Sequence, residues 1–375
     1  MNRTNRKRLA ASLAVAVWLA TAGPALACWV PVFRYALERW PIEPYQVYVF
    51  HRGPLRPEEQ ATVDWLAGAA RAGPRDPCLM LHLVNLDADP PGAAMALWRS
   101  QASAKPPWLV VRYPPSLGIP ADVWAGPLGP SSARTIVDSP ARREIARRVL
   151  GGDSIVFLLL ESGNAARDDA AHRTLTRDLA RLQSTLTLPE PVDGLWNDPV
   201  YDERGAPDLR IAFSVLRVAR DDPAERPFVN MLLASEADLR DFDEPVVFPV
   251  YGRGRALYAL VGKGINAENL RDACEFLTGP CSCIVKGQNP GADLLIVADW
   301  DTALAEEGSA IPPVVPPPLQ GLAEFAVPDA VPEGPSDGPP GWALVHNALL
   351  AAGAGLVILV VAGLYLMRKA RRERH

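Results

Sequence analysis

Cysteine thiols are the side chains of this chain whose spacing most clearly suggests chemistry. Cys281 and Cys283 are separated only by Ser282, and Cys274 stands a few residues before them. Two thiolates this close can chelate a soft ion such as Cu(I), and an oxidised pair would form a strained, labile disulfide. The alternative, which we favour, is a structural disulfide from Cys274 to Cys281 or Cys283 that staples the loop after the preceding helix.

The two remaining cysteines, Cys28 and Cys78, complete a set of five. Thiols in an oxidising compartment tend to pair, so an odd number leaves one cysteine unpaired or otherwise consumed. All five are candidates for disulfides, and the sequence does not choose among the connectivities. Because there is no Cys-x-x-Cys pair and no histidine near Cys281 and Cys283, a zinc site has no support.

Histidines and glycine-rich turns provide weaker signals. His51 and Arg52 follow a predicted strand, at the sheet edge where α/β proteins place their sites, and could bind an anion. His82 lies inside an apolar strand, which favours a buried or edge histidine over a catalytic base. The segment from Gly262 to Asn266 matches a short dinucleotide fingerprint, but a helix that begins with Asn266 as N-cap explains it. We therefore predict no cofactor and no catalytic constellation.

The elements that must position these residues occur in the same order twice. Alternating and helical periodicities predict strands at residues 45–50, 79–84, 107–113 and 123–126, with helices at 58–70, 93–100 and 139–150. In the second half of the chain the same patterns predict strands at 154–160, 209–218, 245–251 and 256–261, with helices at 168–186, 227–233 and 267–277. Strands that alternate with helices and close with a hairpin predict an α/β fold with two βαβαββα domains, residues 28–152 and 153–307.

This order resembles the thioredoxin-like fold, in which a proline precedes the third strand, a hairpin follows and a last helix packs on the sheet. Pro106-Pro107 and Pro245 stand where that proline would stand. The Cys-x-x-Cys motif of the family is absent: the corresponding loops are 51–54 and 161–164, with sequences His-Arg-Gly-Pro and Glu-Ser-Gly-Asn. The resemblance therefore implies two degenerate domains and does not extend to thiol exchange.

The N-terminus has the three parts of a secretory signal: a basic start, a short apolar run and an Ala-x-Ala ending at Ala27. We predict a signal peptide at residues 1–27. The sequence around Cys28 also resembles a lipobox, although Ala25 departs from the large aliphatic residue which that pattern prefers. Cys28 is thus either lipidated or the first residue of the mature chain, where it could form a disulfide.

The C-terminus predicts a membrane anchor. Residues 308–341 are dense in proline, which cannot join a helix or a central strand, and form a predicted stalk. Residues 342–367 contain an apolar run that would span roughly 28 Å as a helix, enough to cross a bilayer. The basic tail at 368–375 places the C-terminus in the cytoplasm by the positive-inside rule, and the body outside it, in the periplasm if the source has two membranes.

Composition limits the possible functions. Apolar residues make up 49% of the chain and charged residues 22%, and the net charge is −5, so the body should be globular and lacks the basic surface of a nucleic-acid-binding protein. We predict a non-catalytic binding or scaffolding ectodomain with an envelope protein as partner, such as an accessory subunit of a membrane complex or transporter. The alternative is an extracytoplasmic thiol-redox or copper-handling protein that uses Cys281 and Cys283.

Overall fold

The computed structural model describes residues 30–70, 78–189, 209–281 and 286–306, all within one compact unit. The predicted signal peptide, stalk, membrane helix and tail lie outside these residues, as do Cys28 and Cys283. Across the described ranges, no helix is long and apolar enough to cross a membrane. The described body is a mixed α/β structure with two sheets, which agrees with the predicted fold class.

The first half builds a four-stranded sheet with the order β2-β1-β3-β4. Its elements are α1 (Val32–Arg39), β1 (Tyr45–His51), α2 (Pro57–Ala69), β2 (Leu79–Asn85), α3 (Gly92–Ser100), β3 (Trp108–Arg112), β4 (Asp122–Pro127), α4 (Pro130–Val137) and α5 (Pro140–Leu150). β1 is parallel to β2 and antiparallel to β3, and β3 is antiparallel to β4. The peptide bond between Pro106 and Pro107, just before β3, is cis.

The second half repeats this pairing in a sheet with the order β10-β8-β7-β5-β6, in which β9 also pairs with β7. Its elements are β5 (Ile155–Glu161), α6 (Ala165–Thr185), β6 (Phe213–Ala219), α7 (Arg226–Leu233), β7 (Val246–Tyr251), β8 (Arg255–Ala256), β9 (Leu260–Val261), α8 (Ala267–Thr278), β10 (Ala292–Asp293) and α9 (Trp300–Glu306). β5 is parallel to β6 and antiparallel to β7, as β1 is to β2 and β3.

One predicted strand is interrupted. Residues 256–261 form the end of β8 and all of β9, because the amide of Ala259 leaves the ladder and donates a hydrogen bond to Glu236 Oε1 at 2.7 Å. Predicted helix starts are confirmed at two caps, where the side chains of Ser139 and Asn266 accept backbone hydrogen bonds from the first turns of α5 and α8. Local side-chain chemistry thus determines where these elements begin and end.

A shared hydrophobic core joins the two halves. Residues 155–160 of β5 are completely buried, and alternate side chains face opposite sides of the sheet. Val156, Leu158 and Leu160 belong to the same core cluster as Val47 and Val111 of the first sheet. The predicted division at residue 152 separates the sheets, but helices cross it: α5 contacts β5 and β6, whereas α7 contacts β4 and α4.

Candidate functional site

The loop after β1 is the first of two positions where a thioredoxin-like enzyme would carry its chemistry. Arg52 donates to Asp87 Oδ1 at 2.6 Å, and the Gly53 amide donates to Asp87 Oδ2 at 3.0 Å. His51 Nδ1 lies 2.8 Å from the carbonyl oxygen of Gly53. Arg52, one of the two residues that we considered for an anion, is therefore paired with a carboxylate of the chain itself, supplied by the loop after β2, whereas His51 contacts a backbone carbonyl.

The loop after β5 holds the equivalent position in the second half and is closed in the same way. Asp168, in the first turn of α6, accepts hydrogen bonds from the Ser162 amide and hydroxyl, both at 2.8 Å, and from the Gly163 amide at 3.2 Å. Asp168 is 3% exposed. Asn164 caps α6 by accepting a hydrogen bond from the Arg167 amide at 3.2 Å. The amides of Ser162 and Gly163 and the Arg167 amide in the first turn of α6 are thus bound internally.

The two loops share an electrostatic consequence. Free amides at a helix N-terminus favour a thiolate or another anion, and this is how such a position activates a cysteine. Here Asp87 and Asp168 place a negative charge at the amides of Gly53, Ser162 and Gly163, in the loops that lead to α2 and α6. A second anion at either loop would meet a carboxylate at short range, which is unfavourable.

Cys274 lies on α8 and is completely buried, with a free thiol. Burial raises the pKa of this thiol to about 12, and the nearby Glu275 contributes in the same direction. Only the thiolate is a nucleophile or a metal ligand, so Cys274 is chemically inert near neutral pH.

The other described cysteines are also inside the body. Cys281 is 1% exposed, and its amide donates to the carbonyl oxygen of Val30 at 3.0 Å. Cys78 is 1% exposed, with its sulfur 3.5 Å from the carbonyl oxygen of Ala70. Among the described residues, no group of three or more His, Cys, Asp or Glu side chains could hold a metal ion. The favoured disulfide from Cys274 is not formed, because the thiol of Cys274 is free. The alternative, thiol or copper chemistry at Cys281 and Cys283, stays a prediction because Cys283 lies outside the described residues.

A small cleft, lined in part by charged residues, lies where the end of α1 and the residues that follow it meet the C-terminal part of the body. Asp293, which is 5% exposed, is its central residue. Its carboxylate accepts hydrogen bonds from Arg255 Nη1 at 2.8 Å, from the Glu43 amide at 3.0 Å and from Lys286. Its carbonyl oxygen accepts one from the Tyr45 hydroxyl at 2.8 Å.

Charge is balanced throughout this cleft. Arg255 also donates to the carbonyl oxygen of Asn289 at 2.9 Å, and Arg253 donates to Asp301 at 2.7 Å. Arg255 and Lys286 share Asp293, and Lys286 Nζ also lies 3.8 Å from Glu43 Oε1. The three cations Arg253, Arg255 and Lys286 therefore face three carboxylates, and none of the three is left uncompensated for a ligand. We interpret the cleft as a structural clamp, in which Asp293 joins Glu43 and Tyr45 to Arg255 and Lys286. Arg253, Arg255 and Asp293 belong to no motif in the sequence, and Asp301 lies in α9, where it pairs with Arg253.

β2 forms an edge of the first sheet and exposes apolar side chains. Met80 is 45% exposed and Leu83 is 50% exposed, on opposite faces of the strand. His82 lies between them, with Nε2 2.8 Å from Gln46 Oε1 and its ring stacked on Tyr48 at a centroid distance of 4.5 Å. Burial lowers the pKa of His82, which favours the neutral ring. His82 is thus an edge-strand histidine, as its apolar neighbours in sequence indicated.

Comparison with known proteins does not assign the chain to a family. No protein-family model matches it, and no curated protein matches it at a significant level.

Proposed function

We propose that this protein is a single-pass envelope membrane protein whose body, outside the cytoplasm, is a non-catalytic binding or scaffolding module. Its partner is another envelope protein, such as the membrane subunit of a complex or transporter. The observation that carries the proposal is that carboxylates of the chain itself accept hydrogen bonds from the amides of both strand-end loops. These carboxylates are Asp87 in the first half and Asp168 in the second.

The proposal includes two degenerate thioredoxin-like halves, and the repeated strand pairing supports this part of it. In each half a proline precedes the third strand and an antiparallel hairpin follows it. The first half departs from that pattern at its end, because α4 contacts β4 whereas α5 packs on the second sheet. Helix packing across the boundary joins the two sheets through a shared core, which supports one two-sheet scaffold over two independent domains.

The chemistry of the loops supports a non-catalytic role. Catalysis at such a loop needs an activated nucleophile and donors that are free to stabilise developing charge. Neither loop contains a cysteine, and the described amides of Gly53, Ser162 and Gly163 donate to carboxylates. The anchoring role depends on the sequence alone, through the apolar C-terminal segment and the signal peptide.

The test combines cross-linking with an activity assay on the full-length protein in native membranes. We expect a cross-linked complex with an envelope protein, and no reduction of a disulfide-containing protein substrate by dithiothreitol above the uncatalysed rate. The variant Cys281→Ser with Cys283→Ser serves as the control for thiol chemistry. A catalysed rate in the wild type that disappears in this variant would replace the scaffolding proposal by the redox alternative.

The same variant separates the copper-handling alternative. We expect the full-length wild type and the double variant to have equal copper contents after purification and equilibration with Cu(I). A stoichiometric copper content that depends on Cys281 and Cys283 would contradict the proposal.

A further inference from the structure

Three strands at the described sheet edges carry features that discourage pairing with another chain. β4 pairs with β3 through a register shift at Arg112 and ends at Pro127. β6 has Arg217 near its middle, in ion pairs with Glu161 and Asp169. β10 is only two residues long and contains the buried Asp293. Bulges, prolines, charges and short length are the usual means by which proteins protect sheet edges.

β2 lacks all of these features. Its sequence, Leu-Met-Leu-His-Leu-Val-Asn, has no Lys, Arg, Asp, Glu, Pro or Gly, and it pairs with β1 without a register shift. Met80 and Leu83 expose apolar surface on both faces. A long, regular and apolar edge is costly to leave in water, and in natural proteins it marks a pairing surface.

The backbone of β2 presents donors and acceptors in a regular row. The Tyr45 amide donates to the carbonyl oxygen of Cys78 at 3.0 Å, and the Leu86 amide donates to that of His51 at 2.8 Å. These two bonds fix which residues of β2 face β1: the backbone groups of the even-numbered residues, including His82, bond to β1. The amide and carbonyl groups of Leu79, Leu81 and Leu83 therefore point away from the sheet, where the described chain places no further strand.

We propose that β2 pairs antiparallel with β2 of a second copy of this chain, around a twofold axis at Leu81 or His82. The product is a dimer in which the two four-stranded sheets become one continuous sheet.

The uncharged, apolar composition of β2 selects the second copy as the occupant. A strand that contained Lys, Arg, Asp or Glu would bring a charge against the apolar surface of Met80 or Leu83 and lose hydration without gaining an ion partner. A second β2 is uncharged, is apolar on both faces and has the same spacing of outward amide and carbonyl groups. With the axis at His82, Leu81 of each copy opposes Leu83 of the other and exchanges both backbone hydrogen bonds with it. The surface is thus complementary to itself, as a twofold interface requires.

The second sheet contains a matched internal comparison. β6 occupies the position in the second sheet that β2 occupies in the first, parallel to the central strand and at the edge. β6 carries Arg217, and β2 has Leu83 at the corresponding place in the ladder. The protein therefore protects one of two equivalent edges and leaves the other apolar. The inference depends on these edges and not on the strand-end loops, so it can fail independently of the proposed function.

Disulfide cross-linking of the full-length protein in native membranes tests the pairing. A residue on the twofold axis faces its own copy at a Cα distance of about 4.5–5.5 Å, which suits a disulfide. We expect either His82→Cys or Leu81→Cys to form an oxidant-dependent covalent dimer above the background of the wild-type cysteines. The control is Leu216→Cys, at the position on β6 that matches His82. Cross-linking of both β2 variants no stronger than that of Leu216→Cys would overturn the proposal.

A charge variant gives a second measurement that does not require a new cysteine. Met80→Lys with Leu83→Lys adds charges at exposed positions, where the monomer fold can accommodate them. We expect the dissociation constant of the detergent-solubilised full-length dimer, measured by sedimentation, to rise at least about tenfold. The control, Phe276→Lys, adds charge at an exposed apolar residue of α8 and should leave the constant unchanged. A wild type that remains monomeric at all accessible concentrations, or a double variant that dimerises as the wild type does, would overturn the proposal.

Discussion

Asp168→Asn is the substitution that most directly tests whether carboxylates close the strand-end loops. Asp168 is 3% exposed and accepts three hydrogen bonds from Ser162 and Gly163. Asparagine has nearly the same shape but no charge, and it replaces one acceptor oxygen by a donor NH₂ group. If the amide oxygen keeps both bonds from Ser162, the new NH₂ group faces the Gly163 amide, so two donors oppose each other.

The expected cost follows from the kinds of hydrogen bond involved. A bond to a charged acceptor contributes about 1.5–3 kcal/mol, and a neutral bond contributes about 0.5–1.5 kcal/mol. Two bonds therefore weaken by about 1 kcal/mol each, and the Gly163 bond, worth about 1.5–3 kcal/mol, is lost. We expect Asp168→Asn to lower the free energy of unfolding by about 4 kcal/mol, which is a large part of the total stability of an ordinary protein.

The assay is urea unfolding of the purified protein, followed by tryptophan fluorescence, together with hydrogen exchange at the loop. Asp169→Asn is the matched control, because Asp169 is the next residue, is half-exposed and pairs with Arg217 at 2.9 Å. Surface pairs of this kind contribute at most about 1 kcal/mol. The amides of Ser162 and Gly163 should exchange faster in Asp168→Asn only.

Equal stabilities of the two variants would refute the reasoning about Asp168. Unchanged exchange at Ser162 and Gly163 would do so as well, because it would mean that these amides are protected by something other than the carboxylate. In either case the amides of the loop after β5 would be available to a ligand.

Two further predictions concern the buried polar cleft and the buried thiol. Asp293→Asn should lower the free energy of unfolding by about 3–5 kcal/mol, because Arg255 and Lys286 would keep their charges without their shared buried partner. Urea unfolding measures this change, and a loss below about 1 kcal/mol would contradict the clamp. Cys274 should react with iodoacetamide only after unfolding at pH 8, since its pKa is about 12 in the folded state. Folding raises this pKa above its unfolded value near 9, so the contribution of Cys274 to stability is complete below pH 9 and declines as the pH rises toward 12. The difference in free energy of unfolding between the wild type and Cys274→Ala, measured over that pH range, tests this decline.

Much of the fold follows from local sequence. Period-two and helical patterns identified the main strands and most helices, since each depends on residues that are neighbours along the chain. The predicted helix start at residue 139 and the predicted N-cap at Asn266 are confirmed for the same reason. The short elements β10, α4 and α9 were not predicted, and one strand was split. β10 and the break at Ala259 depend on distant partners, Arg255 and Glu236.

The sequence by itself determined the α/β class, the repeated order of elements, the absence of a Cys-x-x-Cys motif from both loops and the prediction of an exported, anchored chain. Only the tertiary structure decided which carboxylates occupy the loop amides, because Asp87 and Gly53 come together only when β1 and β2 pair. It also decided that Asp293 meets the Glu43 amide across a separation of 250 residues. Such contacts leave no local pattern, since residue type and spacing along the chain are unrelated to which elements pack together.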